Sequence, residues 1–355
     1  MSELESNKGT GSFISQAIDR RFDIKAYELA PPLPGKISIE INNSCNHSCF
    51  FCPNPIMKRA RALMRPDLVN KIMRDARDNE ISEISFYSTG EPFLNKMLPD
   101  YVRTAKELGF DYVYLSSNGG NAVSKRIQPV LDAGLDSLKF SVNAGDRETY
   151  ALVHGEDEFD EVMHNIERCA AYRDKHNPSL KLFISFVETA QNKSTFELLK
   201  KRVGALVDEV ILYPFIVIGT PLKRTDVTVA KRRPYLGYEH VDKKIALNQR
   251  RTTLPCYQLW TYLNVTLEGY LSACCSDFDA DLVVGNLNRQ SLIEAWHSEE
   301  FRALRQKHID KRIRGTVCAS CIAQKALPYE PINQHLMSAE RSGHVLSEAD
   351  GKPAQ

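Results

Sequence analysis

Cys45, Cys49 and Cys52 stand in the stretch Cys-Asn-His-Ser-Cys-Phe-Phe-Cys, with three residues between the first pair of thiols and two between the second. No helix or strand brings three such positions to one point, whereas a loop wrapped around a metal cluster does. Thiolates are the ligands of iron–sulfur clusters. Three of them leave one metal position open, and an open position is where substrate or cofactor binds. A zinc knuckle, or three unrelated thiols, is the other reading of the same residues. Five more cysteines follow residue 255: Cys256, Cys274, Cys275, Cys318 and Cys321. Four thiolates suffice for a closed cluster or for a structural zinc ion. The ninth, Cys169, lies at helical spacing from Ile166 and reads as a buried apolar side chain. Nine cysteines gathered mainly in two places argue for metal chemistry rather than a disulfide framework.

The elements that position these thiols follow from periodicity. Residues 36–42 alternate and are rich in β-branched side chains, which predicts a strand running directly into the first cysteine loop. Further strands are predicted over 83–87, 111–116, 137–141, 181–187 and 209–213. Helical spacing separates them over 68–76, 98–108, 123–133, 159–172 and 196–207. Alternating strands and helices imply a parallel sheet with helices outside it. Six units do not close as eight do, so the expected fold class is α/β, an open and curved partial (β/α)6 barrel of the TIM type. Loops at the carboxyl ends of parallel strands are where such folds place their sites.

Around this barrel the chain divides into an arm over 1–34, the barrel over 35–213, a linker or lid over 214–255, a small cysteine-bearing domain over 256–329 and a mobile polar tail over 330–355. The arm has a short helical stretch over 15–22 and stops at Pro31-Pro32-Leu33-Pro34. The linker carries Lys223-Arg224 and Lys231-Arg232-Arg233, suited to a substrate phosphate or carboxylate, or simply a solvated loop. In the small domain a hairpin is predicted over 260–265 and 270–273, turning at Glu268-Gly269. A helix is predicted from Leu292 to about Arg305, with Ser291 and Glu294 as its capping box.

The 355 residues include 46 Lys and Arg against 45 Asp and Glu, a net charge of +1 that speaks against a general polyanion or nucleic-acid binder. No apolar run reaches membrane-spanning length, and residues 1–10 lack the apolar core of a signal peptide. The expected location is the cytoplasm, with no membrane partner.

The three-and-two cysteine spacing, with Phe51 before the last thiol, resembles the radical S-adenosylmethionine (SAM) superfamily. The resemblance implies that Cys45, Cys49 and Cys52 hold a [4Fe-4S] cluster whose open iron binds SAM and splits it to a 5′-deoxyadenosyl radical. It continues at Ser88-Thr89-Gly90-Glu91-Pro92 after the second barrel strand, where the family has a Gly-Gly-Glu-Pro-like segment; Thr89 here replaces the first glycine. By that likeness Thr89, Gly90 and Glu91 bind the amino group of SAM, and the backbone at Phe51 meets the adenine. Ser141 and Asn143 meet the ribose or the methionine carboxylate, and Asn118 sits at the neighbouring strand end. Turn capping suits the same short polar side chains.

The second half has its own likeness. Cys256, Cys274, Gly285-Asn286-Leu287, Trp296, Cys318 and Cys321 resemble the twitch domain, a shortened form of the SPASM extension of radical SAM enzymes. This implies one auxiliary [4Fe-4S] cluster on Cys256, Cys274, Cys318 and Cys321. Cys275 is then an alternate ligand, a packing residue or a hydrogen-atom donor. The activity implied is oxidation of an alcohol to a ketone on a small polar substrate, such as a sugar, aminocyclitol or nucleotide-linked sugar. The auxiliary cluster accepts the electron, and a flavodoxin- or ferredoxin-type protein is the reductant. Radical epimerisation, modification of a ribosomal peptide, and a non-catalytic iron–sulfur or zinc protein are the alternatives.

Overall fold

The computed structural model describes residues 27–122, 124–215, 228–229, 233–234, 254–323, 327–337 and 345–347. All six predicted barrel strands form: β1 (Lys36–Ile39), β3 (Glu83–Ser85), β4 (Tyr112–Ser117), β5 (Ser137–Ser141), β6 (Lys181–Glu188) and β7 (Glu209–Pro214), with β2 (Ala62–Met64) standing outside this set. They lie side by side in sequence order and every pairing is parallel. The sheet stays open, as six strands require. β4 shows how it is built: Val113, Leu115 and Ser117 are buried, while Tyr112, Tyr114 and Ser116 alternate with them on the more accessible face. The apolar face is covered by α1 (Pro66–Asp78), α2 (Leu98–Glu107), α3 (Ser124–Asp132), α5 (Phe159–His176) and α6 (Phe196–Val203). Cys169 is buried in α5 within that core, as its spacing indicates.

Between the barrel strands, one described helix escapes the sequence pattern. Between β5 and α5 lies α4 (Arg147–His154). The Asp146 side chain caps its first turn by accepting the Thr149 N–H at 2.8 Å, and Gly155 ends it at φ +74°. Its last carbonyls do not go to solvent. Ser48 N donates to the His154 carbonyl at 3.0 Å and Phe50 N to the Val153 carbonyl at 3.1 Å, so α4 grips the cysteine loop by its backbone. A Cβ on Gly155 would overlap the Ser48 side chain and stand 2.9 Å from the Ser48 carbonyl.

The hairpin does not stand apart from the barrel. β8 (Leu263–Val265) pairs in parallel with the free edge of β1, and β9 (Tyr270–Ser272) and β10 (Val283–Asn286) follow antiparallel. The result is one nine-stranded sheet. Trp260, expected in a strand, lies instead in the short helix α7 (Gln258–Thr261). The helix expected from Leu292 to Arg305 is two: α8 (Leu292–Trp296), with the foreseen capping box, and α9 (Glu299–Ile309). Ser298 makes the break. Its hydroxyl accepts from Phe301 N at 3.1 Å and donates to the Val284 carbonyl at 2.7 Å, which starts a second helix. α10 (Val317–Ala323) carries the last two cysteines.

The tail over 330–337, expected to be mobile, is docked: Glu330 N donates to the Gly315 carbonyl and Ile332 N to the Asp281 carbonyl. Further on, β11 (Val345–Ser347) pairs antiparallel with β2. The helical stretch over 15–22 and most of the linker, including Lys223-Arg224 and Lys231-Arg232, lie outside the described residues. No helix among the described residues is long and apolar enough to cross a membrane.

Gly155→Ala places a Cβ in a left-handed conformation, a cost of about 1–2 kcal/mol, and pushes on Ser48. We expect a lower unfolding midpoint together with reduced iron uptake. Gly109→Ala, at φ +84° with only the Arg77 guanidinium nearby, is the control: its midpoint falls and its iron content does not.

Candidate metal centres

The first site is assembled at the carboxyl ends of β1, β3 and β4. The loop after β1 is fixed by asparagines. Asn43 Nδ2 donates to the Ala60 carbonyl at 2.7 Å and its Oδ1 accepts from Ala62 N at 2.9 Å. Asn54 Nδ2 reaches both the Asn43 carbonyl at 2.9 Å and the Thr89 carbonyl at 2.6 Å. Glu91 N donates to the Ser44 carbonyl at 2.8 Å, and Asn42 Nδ2 donates to the Glu91 carbonyl at 3.0 Å. Gly90 has no room for a side chain: a Cβ there would overlap Asn42 and stand 2.8 Å from the Ser44 carbonyl. Its close approach is therefore to the cysteine loop itself.

Cys45, Cys49 and Cys52 gather within electrostatic reach of one another. Burial pushes the Cys45 thiol up to about 12, with Glu91 adding to it. Burial likewise raises Cys52 to about 11 and holds Cys49 well above the ordinary thiol range. Such thiols stay protonated until a cation replaces the protons, which is how metal binding works in a desolvated site. Two groups give Cys45 Sγ weak donors: His47 N at 3.4 Å and Asn118 Nδ2 at 3.7 Å. Three convergent thiols on a loop, with neighbouring donors, fit a cluster held by three ligands.

The residues expected around SAM lie at the same rim, and several are occupied by the protein. The Glu91 carboxylate is buried and accepts from Phe93 N at 3.2 Å, Ser117 Oγ at 2.8 Å and Asn118 N at 2.8 Å. Burial raises its carboxyl and these hydrogen bonds oppose the rise. Asn118 Nδ2 also donates to Asn46 Oδ1 at 2.9 Å, and its Oδ1 accepts from Gly120 N at 2.9 Å. Thr89 donates its hydroxyl to Glu40. Asn143, at φ +53°, donates to Ser141 Oγ at 3.1 Å and accepts from Val187 N at 2.7 Å, tying the end of β5 to β6. Phe51 packs edge-on between Phe50 and Phe215, while Phe50 is itself buried.

Two histidines that sequence reasoning passed over belong to this site. His154 ends α4, and its Nδ1 lies 3.6 Å from Cys49 Sγ and 3.2 Å from His47 Nδ1. His47 Nε2 meets Glu158 Oε2 at 2.9 Å. Burial, then the neighbouring His47, pushes His154 down to about 3. His47 sits inside the cysteine stretch and could have been noticed there; nothing local to His154 announces it.

The second site draws on three elements. Cys256 precedes α7, Cys274 and Cys275 follow β9, and Cys318 and Cys321 lie one turn apart on α10. Cys256 is within electrostatic reach of Cys275 and Cys321, Cys318 of Cys256 and Cys321, and Cys274 of Cys256. Burial raises Cys256 to about 11 and Cys318 further. Cys274 is raised by its hydrogen-bonded neighbour Cys275 and by burial. Cys275 is exposed, and Cys274 Sγ accepts from Ser276 N at 3.4 Å. Five thiols thus offer a full four-ligand set.

A buried ion network joins the two halves. Arg59, just past the first cysteine loop, donates Nε to Glu268 Oε1 at 2.9 Å and a terminal nitrogen to Glu268 Oε2 at 2.7 Å, and it also binds Glu40. Glu268 stands at the hairpin turn and Glu40 follows β1. Glu40 further accepts from Leu267 N at 3.0 Å. Burial alone would lower the guanidinium, and the two carboxylates more than reverse it.

Residues 39–185 match the Radical SAM superfamily, and residues 256–322 match the iron–sulfur cluster-binding domain SPASM. A curated relative is the S-adenosyl-L-methionine-dependent 2-deoxy-scyllo-inosamine dehydrogenase of Niallia circulans, 22% identical over 290 residues that cover 80% of this chain and 91% of that protein. Among solved structures, BtrN in complex with AdoMet and 2-DOIA aligns with a TM-score of 0.50 at 20% identity, over 89% of this chain and all of that one. SuiB of Streptococcus suis aligns with a TM-score of 0.60 at 14% identity, over 85% of this chain and 76% of that one. At these identities the structural likenesses establish the fold.

Arg59→Met leaves two buried carboxylates without their cation. Breaking such a pair costs about 3–5 kcal/mol. We expect a large drop in the denaturation midpoint of Arg59→Met, against a small one for the exposed Arg103→Met, whose pair with Asp100 lies on the surface.

Proposed function

The chain carries a radical SAM domain followed by an iron–sulfur cluster-binding domain, and from that premise we propose that it oxidises an alcohol on a small polar substrate. Cys45, Cys49 and Cys52 are the ligands of the SAM-binding [4Fe-4S] cluster in this reading, and Cys256, Cys274, Cys318 and Cys321 those of the auxiliary cluster. When bound, these groups supply a 5′-deoxyadenosyl radical at one site and an electron acceptor at the other. Turning a secondary alcohol into a ketone removes a hydrogen atom, a proton and an electron from one carbon–oxygen unit, which matches that pair of functions.

The observation that carries the reading is the second thiol set, ample for a closed four-ligand site and tied through β8 to the sheet that carries the first. The name of the Niallia circulans relative, a dehydrogenase, supports the same outcome. What the chain itself offers the substrate is a polar inner face. Ser38 stands level with Ser85 on one side and Asn264 on the other. The Tyr114 and Tyr262 hydroxyls are 2.9 Å apart, and the Tyr87 ring lies 6.0 Å from Tyr114. Burial holds Tyr87 and Tyr262 well above the ordinary phenol range, so each keeps an O–H that can donate or accept a hydrogen bond. The Lys139 ammonium stands 5.9 Å from the Tyr87 ring and 5.6 Å from that of Tyr213. Phenols and an ammonium suit a polyhydroxylated or anionic ligand such as a sugar or nucleotide-linked sugar better than an apolar one. A cytoplasmic flavodoxin- or ferredoxin-type protein is the fitting reductant.

Anaerobically reconstituted protein should hold roughly eight iron and eight sulfide per chain, as two four-iron clusters require. With a chemical reductant and SAM, Cys45→Ala should form no 5′-deoxyadenosine. Cys318→Ala should still form it while losing ketone product. A folded Cys318→Ala protein that no longer cleaves SAM at all speaks against the acceptor role. Cys275→Ala should turn over as the wild type does; loss of product there, with SAM cleavage intact, favours epimerisation with Cys275 as hydrogen-atom donor.

A further inference from the structure

His47, Cys49 and His154 present one nitrogen, one sulfur and one nitrogen that all lie within 4.8 Å of one another. The far side of each ring is already committed. His154 Nε2 faces the Val142 carbonyl at 2.5 Å, and a carbonyl only accepts, so the ring proton is on Nε2. His47 Nε2 faces the Glu158 carboxylate at 2.9 Å, the position of a donated N–H. Both rings then turn their Nδ1 toward the same point, 3.2 Å apart, with Cys49 Sγ 3.6 Å from the His154 nitrogen. A metal ion between them takes all three atoms as ligands.

Two of the three spacings, 3.2 Å and 3.6 Å, are close to those of a tetrahedral site, and the third lies within 4.8 Å. Bonds of about 2.0–2.1 Å to nitrogen and about 2.3 Å to sulfur give edges of about 3.3 and 3.6 Å. Metal-binding histidines also give their other N–H to a carboxylate or a backbone carbonyl, which is what Glu158 and Val142 provide. Gly120 makes the first of these possible, because a Cβ there would overlap Glu158 and come within 3.0 Å of His47 Nε2.

We propose that the iron-free protein binds a single divalent cation of the Zn²⁺ type on His47, Cys49 and His154. The site borrows Cys49 from the proposed SAM-cluster set, so the two occupancies exclude each other and the cation must leave before the cluster is built. This goes beyond the proposed reaction and does not depend on it.

The test uses the full-length protein, stripped of iron under anaerobic conditions and titrated with Co²⁺ as an optical probe. The C-terminal cysteines contribute a background common to all variants, so the reading is the difference between wild type and His154→Gln. His47→Gln serves as a second variant, and circular dichroism checks the fold of both. We expect the bands of one four-coordinate Co²⁺ with mixed nitrogen and sulfur ligands, lost in both variants. Glu158→Gln, which alters the group behind His47 and the acceptor that Asn46 Nδ2 meets at 3.4 Å, should weaken binding about 10–100-fold; if both histidine variants unfold, this result decides alone. Zn²⁺ loaded first should lower subsequent iron uptake more in the wild type than in His154→Gln, the C-terminal cysteines giving both the same background. Cobalt spectra and affinities that are the same in wild type and every folded variant overturn the proposal, as does zinc that blocks iron uptake equally in all of them.

Discussion

Glu40 is a carboxylate with almost no contact with water, placed where β1 gives way to the cysteine loop. A buried charge of this kind is tolerated only when its lone pairs are used and its charge is matched. Its partners come from three separate stretches: the Thr89 hydroxyl, the Arg59 guanidinium and the Leu267 amide. Thr89 belongs to the loop beside the cysteines, Arg59 to the chain leaving them, and Leu267 to the hairpin that leads to the second thiol set. One charge therefore sets the relative positions of all three. The cost of desolvating it is met only when the barrel and the C-terminal part are folded together, so the two metal-binding halves are thermodynamically one unit at this seam.

The same logic explains why the first site is shaped by groups that never touch a metal. Three thiols in a short loop leave many backbone polar groups with no secondary structure to join. The protein satisfies them from outside. The end of α4 accepts two loop amides, Asn43 and Asn54 close the loop onto its own flanks, and the Gly90-Glu91 backbone closes it from the β3 side. Glycines stand at the two points of closest approach, Gly90 and Gly155. The geometry at Gly90 also changes the meaning of the Gly-Glu segment. Glu91 spends lone pairs on Ser117 and on two backbone amides, so it orders the carboxyl ends of β3 and β4 in addition to any role toward a ligand.

Much of this was legible in the chain. The six barrel strands are legible as short apolar stretches set between helical ones, and Ser291 with Glu294 gives a capping box because that signal is complete within four residues. The cysteines are legible through their spacing. What escaped depends on partners distant in sequence. Ser298 splits a helix because Val284 accepts its hydroxyl, and no local pattern encodes that acceptor. The pairing of β8 with β1 joins residues more than two hundred positions apart, and no local pattern encodes it. α4 is short and its apolar residues mark no clear stripe; its reason for existing is the loop it holds. The tail over 330–337 is polar in composition yet docks through its backbone, which composition does not reveal.

The two thiol sets also differ in how firmly they are held, and this bears on their chemistry. The first stands on a loop whose amides are borrowed by α4, so its ligands move together with that helix. In the second, Cys318 and Cys321 ride on a helix and Cys256 N donates to His308 Nδ1 at 3.3 Å, on a side chain buried in α9. A site spread over α7, α10 and the end of β9 takes its ligands from three elements of the C-terminal core, whereas the first takes all of its ligands from one loop. A closed, rigidly supported set suits electron transfer, where small reorganisation is an advantage, and an open set on a loop suits a metal that must admit another molecule. The division of labour proposed for the two sites thus rests on which backbone carries the cysteines as much as on how many there are.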